Sequence, residues 1–320
     1  MATPPPTADW YRRFAELEAA GHSAVYEDWA LGVAGDPAVL ALIEALPFPK
    51  RQPNLILACA RLLGAPEGGY VEFRHWLLDN WDAVAGQARV RMTQTNEARR
   101  CAALLPALAR IDGPLALIEL GASAGLCLYP DRYSYDLGGE RIDPPTGPSP
   151  VLLSSDYSGP VPTVLPEVTW RAGSDLNPLD VGSTDDVRWL TTLIWPEQHE
   201  RRERLSAAIQ LVAADPPLLL RGDAIDTLDD LLARVPVGAT PVVQTSGMLV
   251  YLPFESRMRL VERIRASGAR WVSLEAVGAL PTVRERLPEE RPGAYVLGLD
   301  ERPLAWVGPH GQFVEWIQGA

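Results

Sequence analysis

The sequence predicts an α/β protein: a mostly parallel sheet with an antiparallel last strand, layered between helices and preceded by an all-helical N-terminal domain. Three observations predict it. Up to about residue 112 the apolar residues recur at helical spacing, as Trp10, Phe14 and Leu17 do. From Pro114 onward short apolar runs alternate with turn residues and helical stretches, the signature of parallel strands with crossover helices. The last two runs, 295–299 and 313–317, lie too close together for a crossover helix and are expected to pair antiparallel. Two domains follow, 1–112 and 113–320.

In the first domain Thr7 is a possible cap for the opening helix and Gly21 its stop. Asp36-Pro37 supplies a cap and a first-turn proline for a helix that Pro47 ends, and Pro53 opens the next. Helical stretches over 70–84 and 91–111 complete the domain. In the second, the expected strands are 115–120, 168–174, 218–221, 242–245 and 271–274, then the closing pair. The segment 133–143, with Gly138-Gly139 at its middle, reads as an inserted hairpin, because paired glycines suit a primed turn.

Composition narrows function by exclusion. The 320 residues are 47% apolar and 22% charged, which is globular, and no apolar run approaches the ~20 residues of a membrane span. Net charge is -12, most of it after Gly113, so a nucleic-acid backbone is not an expected partner. Cys59, Cys101 and Cys127 form no CxxC and the four histidines no spaced pair, so neither a structural metal nor a disulfide framework is expected. The opening Met1-Ala2-Thr3-Pro4-Pro5-Pro6 lacks a signal's basic flank and apolar core, which predicts a cytoplasmic protein. Oligomeric state is left open.

The chemistry concentrates at strand ends. Glu119-Leu120-Gly121-Ala122-Ser123-Ala124-Gly125 is a strand, a small-residue turn and the expected start of a helix, a form that brings backbone amides close to a ligand. Gly173-Ser174-Asp175-Leu176-Asn177-Pro178 ends the second strand with an acid placed to accept ribose hydroxyls. Arg221-Gly222-Asp223-Ala224 ends the third with another, placed for an adenine amino group and equally suited to cap the next helix. All these ends open on one sheet edge, where open α/β folds bind ligands.

On these three motifs the chain resembles the class I S-adenosylmethionine-dependent methyltransferases. The resemblance implies their Rossmann-like three-layer sandwich, S-adenosylmethionine as cofactor, and a cofactor site at Glu119, Gly121, Ser123, Gly125, Asp175 and Asp223. Ser123 stands where that family has its middle glycine. In the methyltransferase arrangement the fourth strand end faces the transferred methyl, and here it reads Gln244-Thr245-Ser246-Gly247-Met248. Ser246 and, at the fifth strand's end, Glu275 are thus the catalytic candidates, on a small-molecule substrate. Tyr129, Tyr133, Trp189, Trp195 and Tyr251 are candidate lining. The whole chain also resembles the bacterial domain-of-unknown-function 2332 family. That resemblance is carried by Thr95-Asn96-Glu97-Ala98-Arg99-Arg100-Cys101, the 121–125 loop with Asp131-Arg132-Tyr133, Asp175-Leu176-Asn177-Pro178, Trp189-Leu190 with Trp195-Pro196, and Arg221-Gly222-Asp223-Ala224. It implies a helical domain before a methyltransferase-like one, with Asn96, Glu97 and Arg100 as lid residues over the cofactor's amino-acid end.

Two rivals stand beside this reading. One is a methyltransferase-like binding protein without turnover, which Gln244 and Ser246 permit. The other is a hydrolase, since 121–125 also spells Gly-x-Ser-x-Gly with Ser123 as nucleophile and His310 as base. Against the hydrolase, no earlier strands stand upstream to provide an oxyanion loop. A dinucleotide oxidoreductase ranks lower, for want of an intact Gly-x-Gly-x-x-Gly.

Overall fold

The computed structural model describes residues 6–94, 96–289, 291 and 293–318, leaving Met1 to Pro5 and Thr95 of the sequence motifs outside. It divides into two compact units, Met1–Thr95 with Gly182–Glu203, and Asn96–Val181 with Arg204–Ala320. The boundary expected at 112 is drawn elsewhere: residues 96–112 go with the sheet and 182–203 with the helices.

The first unit holds α1 (Thr7–Phe14), α2 (Ala24–Ala34), α3 (Pro37–Glu44), α4 (Pro53–Leu62), α5 (Tyr70–Asp79) and α6 (Trp81–Val90). Its helix starts are chemically specified. Ser23 Oγ accepts from the Tyr26 amide at 3.1 Å, and the Asp36 carboxylate accepts from Ala38 and Val39 while Pro37 takes the first helical position. Thr7 does not cap: it lies inside α1 with Pro6 before it. The stretch expected over 70–84 is two helices, separated where the Asn80 side chain donates to the Trp76 carbonyl. The one expected over 91–111 shrinks to α7 (Arg100–Leu108), which belongs to the second unit.

Helix α8 (Thr184–Thr192) returns to the first unit. Arg61 Nη1 donates to the carbonyls of Thr192 and Ile194 at 2.8 and 2.7 Å, and Trp195 Nε1 donates to Asn54 Oδ1 at 2.9 Å. Trp189 is buried with its indole on the Met92 carbonyl. Trp189 is therefore a core residue of the helical unit, and the half-buried Trp195 packs with Phe14 and Tyr26.

The second unit is built on one sheet of eleven strands among the described residues. These are β1 (Leu115–Leu120), β2 (Ser134–Leu137), β3 (Glu140–Ile142), β4 (Leu152–Ser158), β5 (Val168–Asp175), β6 (Leu218–Arg221), β7 (Thr240–Ser246), β8 (Arg270–Ala276), β9 (Tyr295–Leu299), β10 (Arg302–Val307) and β11 (Phe313–Trp316). They lie in the order β3-β2-β4-β11-β10-β9-β8-β7-β1-β5-β6. From β8 to β6 every pairing is parallel, with β1 central between β5 and β7. Helices α9 (His199–Ala213), α10 (Ala224–Leu232), α11 (Phe254–Ser267) and α12 (Pro281–Arg284) complete the chain. One face of the sheet, through Ile118, Leu120, Val243 and Trp271, forms a core with Leu228 of α10 and Leu260 and Ile264 of α11. Helix α7 is buried outside that cluster, beside β4, β8 and β9.

The hairpin at 133–143 is present, with Gly138 and Gly139 both at positive φ. The closing pair is not. Strand β10 stands between 295–299 and 313–317 and pairs antiparallel with both, so the segments expected to pair lie one strand apart. The reason is local. Asp300 and Glu301 form the β9–β10 turn at φ 50° and 61° without a glycine to announce it, and Pro303 sits at a register shift inside β10. The reversed strand is β9, next to β8, and β11 in turn pairs parallel with β4.

Close approach fixes β5 against the loop after β1: a Cβ at Gly173 would lie 2.7 Å from both the Ala122 Cβ and the Glu119 carbonyl oxygen. Gly173→Ala is expected to lower stability by about 1–3 kcal/mol through this overpacking. Gly86→Ala, at an exposed position inside α6 with open space around it, is expected to raise stability by about 0.5–1 kcal/mol. Urea unfolding of the two variants checks both signs.

Candidate functional site

From β1 the chain runs first to β2, β3 and β4 at the far edge of the sheet, then returns to β5 beside β1 and later places β7 on the other side, so within β6-β5-β1-β7-β8 the strand order reverses at β1. The carboxyl edge at such a point is where open α/β sheets take ligands. The β1 chain leaves that edge through three left-handed positions in five, Gly121 (φ 77°), Ser123 (φ 52°) and Gly125 (φ 74°). Its amides are engaged internally. Gly121 and Ala122 both donate to the Ser174 carbonyl at 2.8 and 3.0 Å, Ser123 donates to Asp175 Oδ2 at 2.8 Å, and Gly125 donates to the Ala122 carbonyl at 2.7 Å. The helix expected after the loop is only a three-residue turn, Leu126–Leu128. Pro130, a few residues on, denies a helix its continuation and biases Tyr129 away from helical backbone.

The strand-end acids are likewise held by backbone. Asp175 accepts from the Ser123 amide through one oxygen and from the Asn177 amide through the other, both at 2.8 Å. Asp223 is the N-cap of α10 and accepts from the Ile225 amide at 2.8 Å. Glu275 is buried and accepts from the amides of Met248 and Leu249, each at 3.3 Å. Glu97 receives a two-pronged bond from Arg204, 2.9 and 3.2 Å, which ties the start of α7 to α9.

On the α7 side, Arg100 is 8% exposed. Its Nη1 donates to the Ser246 carbonyl at 2.7 Å and its Nε to the Pro309 carbonyl at 3.0 Å. Glu119 and Gln244 are register neighbours on β1 and β7, and Gln244 Nε2 donates to the Cys127 carbonyl at 3.1 Å. Buried polar atoms of β1, its loop and β7 have no hydrogen-bond partner, namely Glu119 Oε2, Ser123 Oγ, Gln244 Oε1 and Ser246 Oγ; the same holds of Ser174 Oγ on the opposite sheet face and Asn96 Nδ2 ahead of α7. Each such group costs about 1–3 kcal/mol, so their grouping points to water or a polar ligand here. Burial drives the Glu119 carboxyl well above the usual carboxylate range, with nearby Cys127 adding and Arg100 opposing.

The edge thus brings together Glu119, Gly121, Ser123, Gly125, Asp175, Ser246 and Arg100. Asp223 lies at the head of α10, and Glu275 is turned into its own backbone contacts. Ser123 Oγ carries no base, so the serine-nucleophile arrangement with His310 is not formed. Tyr129 and Tyr133 are buried on the Asp215 and Leu126 carbonyls, whereas Tyr251 is 83% exposed. Two cavities, about 540 Å³ beside Leu78 and Trp81 and about 250 Å³ beside Trp170, Arg171 and Pro217, lie away from these residues. No group of three potential metal ligands occurs among the described residues, and no described helix is long and apolar enough to cross a membrane. Sequence reasoning gave Met248 no role and weighed Gln244 only as permitting a loss of turnover. A glutamine ending the run Pro241-Val242-Val243 was the available signal, because an amide in a central strand needs a partner.

Burial pushes Glu275 up to about 7 from 4.5, against the opposing pull of the Met248 and Leu249 amides, Arg100 and Thr245. Between those values the folded chain holds a proton that the unfolded chain releases. Stability is therefore expected to fall as pH rises from about 4.5 to about 7, by up to roughly 1.4 kcal/mol per unit, and to level above it. Glu275→Gln removes that component, and urea unfolding of both proteins across this range checks the difference.

No curated protein and no solved structure matches the chain. The family model described as an uncharacterized protein conserved in bacteria, domain of unknown function 2332, matches residues 8–316. With nearly its whole length covered, the chain belongs to that family.

Proposed function

We propose that the protein is an S-adenosylmethionine-dependent methyltransferase acting on a small molecule, on a Rossmann-like core formed by β6-β5-β1-β7-β8. The observation that carries the reading is the set of partnerless buried polar atoms at the carboxyl edge of β1 and β7, beside an arginine whose partners are backbone carbonyls. Support also comes from strand order, which by chain position runs 3-2-1-4-5, and from acids at the ends of β1 and β5. The departures are the absent helix after the loop and the meander that follows β8.

The residues fit the cofactor. Asp175, half-buried, is held by the Ser123 and Asn177 amides, one on each oxygen, at the strand end where it would accept ribose hydroxyls. Asp223 caps α10 through one oxygen and has a second for an adenine amino group. Gly121, Ser123 and Gly125 shape the loop; Glu119, with Asn96 and Arg100 from the α7 side, supplies polar atoms toward the amino-acid end. When bound, the cofactor supplies an electrophilic methyl group. The chain's own part is to hold the acceptor in line and exclude water, a positioning effect that needs little acid-base chemistry. Ser246 offers its hydroxyl as a hydrogen-bond partner to the acceptor.

Calorimetric titration with S-adenosylmethionine and S-adenosylhomocysteine tests the reading. Saturable binding is expected, weakened at least tenfold in Asp175→Asn, a variant that keeps one carbonyl oxygen for the loop amides. Affinity unchanged in that variant, with an unchanged thermal midpoint, overturns the ribose assignment. A second reading, binding without turnover, is favoured by Asp175, Asp223 and Glu275 all being engaged by backbone amides. Binding that persists while a broad substrate screen releases no S-adenosylhomocysteine selects it.

A further inference from the structure

Gly121 is the first residue of the β1 loop, and its open side is already covered. A Cβ there would lie 2.8 Å from Met248 Cβ and 3.3 Å from Met248 Cγ. Met248 belongs to the short turn 247–251, which follows β7 and starts at Gly247 with φ 66°. That turn is tied down at its root and through Leu249, which is fully buried in the core of the sheet face. Arg100 holds the Ser246 carbonyl just before it, and the Gly247 amide donates to the Leu274 carbonyl at 2.8 Å. The two Glu275 carboxylate oxygens take the Met248 and Leu249 amides, one each. Beyond Leu249 the turn faces outward: Val250 is 44% and Tyr251 83% exposed.

We propose that turn 247–251 is a latch over the β1 loop, with the Met248 side chain as its plug and Glu275 as the positioning residue that holds it shut. A ligand that approaches Gly121 closely must displace Met248. This rests on the reading of the carboxyl edge as the ligand site, and the latch itself is testable without any ligand. Glu275 is buried, so its carboxylate has few alternatives to the two amides, and an ionised acceptor binds both more strongly than a neutral carboxyl. The groups that face it are Arg100 from α7, Thr245 from β7 and Tyr295 from β9. Arg100 favours the ionised form and burial opposes it.

The sequence makes the plug adaptable. Methionine is unbranched and moves among rotamers at low cost, so it fills the space over Gly121 without a fixed shape. Gly247 supplies a left-handed position that lets the turn fold back over the strand ends.

Hydrogen exchange of the full chain without ligand, read at Met248 and Leu249 and corrected for intrinsic rates, is the test. Glu275→Gln is expected to speed exchange at those two amides at least about tenfold, with other β7 and β8 amides unmoved. Glu275→Asp keeps a carboxylate on a shorter arm that no longer reaches both amides and is expected to speed their exchange likewise; it serves if the glutamine variant fails to fold. Unchanged exchange at Met248 and Leu249, or an equal change throughout the sheet, overturns the latch. Met248→Ala then tests the plug, with association of S-adenosylhomocysteine expected to be several-fold faster. An unchanged association rate removes Met248 from the proposal. Failure of S-adenosylhomocysteine to bind at all counts against the cofactor reading, while the exchange result still decides the latch.

Discussion

Everything at the carboxyl edge depends on the parallel pairing of β1 with β5. That pairing places the Ser174 carbonyl and the Asp175 carboxylate one residue apart, where they collect the amides of Gly121, Ala122 and Ser123 in turn. Three successive donors are satisfied by two adjacent residues of the neighbouring strand. The loop can then reverse through positive φ at Gly121, Ser123 and Gly125 without leaving buried N–H groups orphaned. Glu119, at the last turn of the strand, is carried into the interior by the same register, beside Gln244 on the other side.

A consequence concerns charge. Most of the acids at this edge are bound by backbone amides, and amides stabilise a carboxylate by direct donation. Glu119 differs, because one of its oxygens has no partner and its nearest positive group, Arg100, is bonded to carbonyls. Burial pushes its carboxyl upward, with Arg100 opposing. Arg100, bonded to carbonyls, and Arg221, bonded to the Leu176 carbonyl and Asn177 Oδ1 at the end of β6, both bring positive potential to this edge.

How much of this was legible in the chain follows from what each signal encodes. The parallel strands were readable nearly to the residue, because continuous apolar runs such as Leu115-Ala116-Leu117-Ile118 mark strands buried on both faces. Strand β4 escaped because its run, Leu152-Leu153-Ser154-Ser155-Asp156-Tyr157-Ser158, alternates with serines and an acid and buries mainly Leu153 and Ser155. Strand β10 escaped through its proline and its unannounced turn. The return of 182–203 to the helical unit was beyond reach of local pattern, since it is set by contacts such as Arg61 with Thr192, 131 residues apart. At the site, residue types at strand ends were readable and their engagements were not. Asp175 reads the same in sequence whether it holds a ribose or a loop.

That last ambiguity has a structural resolution, since the two roles are compatible at one residue. A carboxylate that accepts the Ser123 amide on one oxygen and the Asn177 amide on the other is fixed in position by backbone. Such a group meets a ligand without losing further side-chain freedom, which lowers the cost of binding. The same reasoning separates Asp175 from Glu275. Asp175 is half-buried with its strand end open beside the exposed Leu176, whereas Glu275 is closed in by the turn whose amides it holds. Under the proposed function the half-exposed acid of the two is the one that meets the ligand, and the enclosed one acts through the turn that it orders.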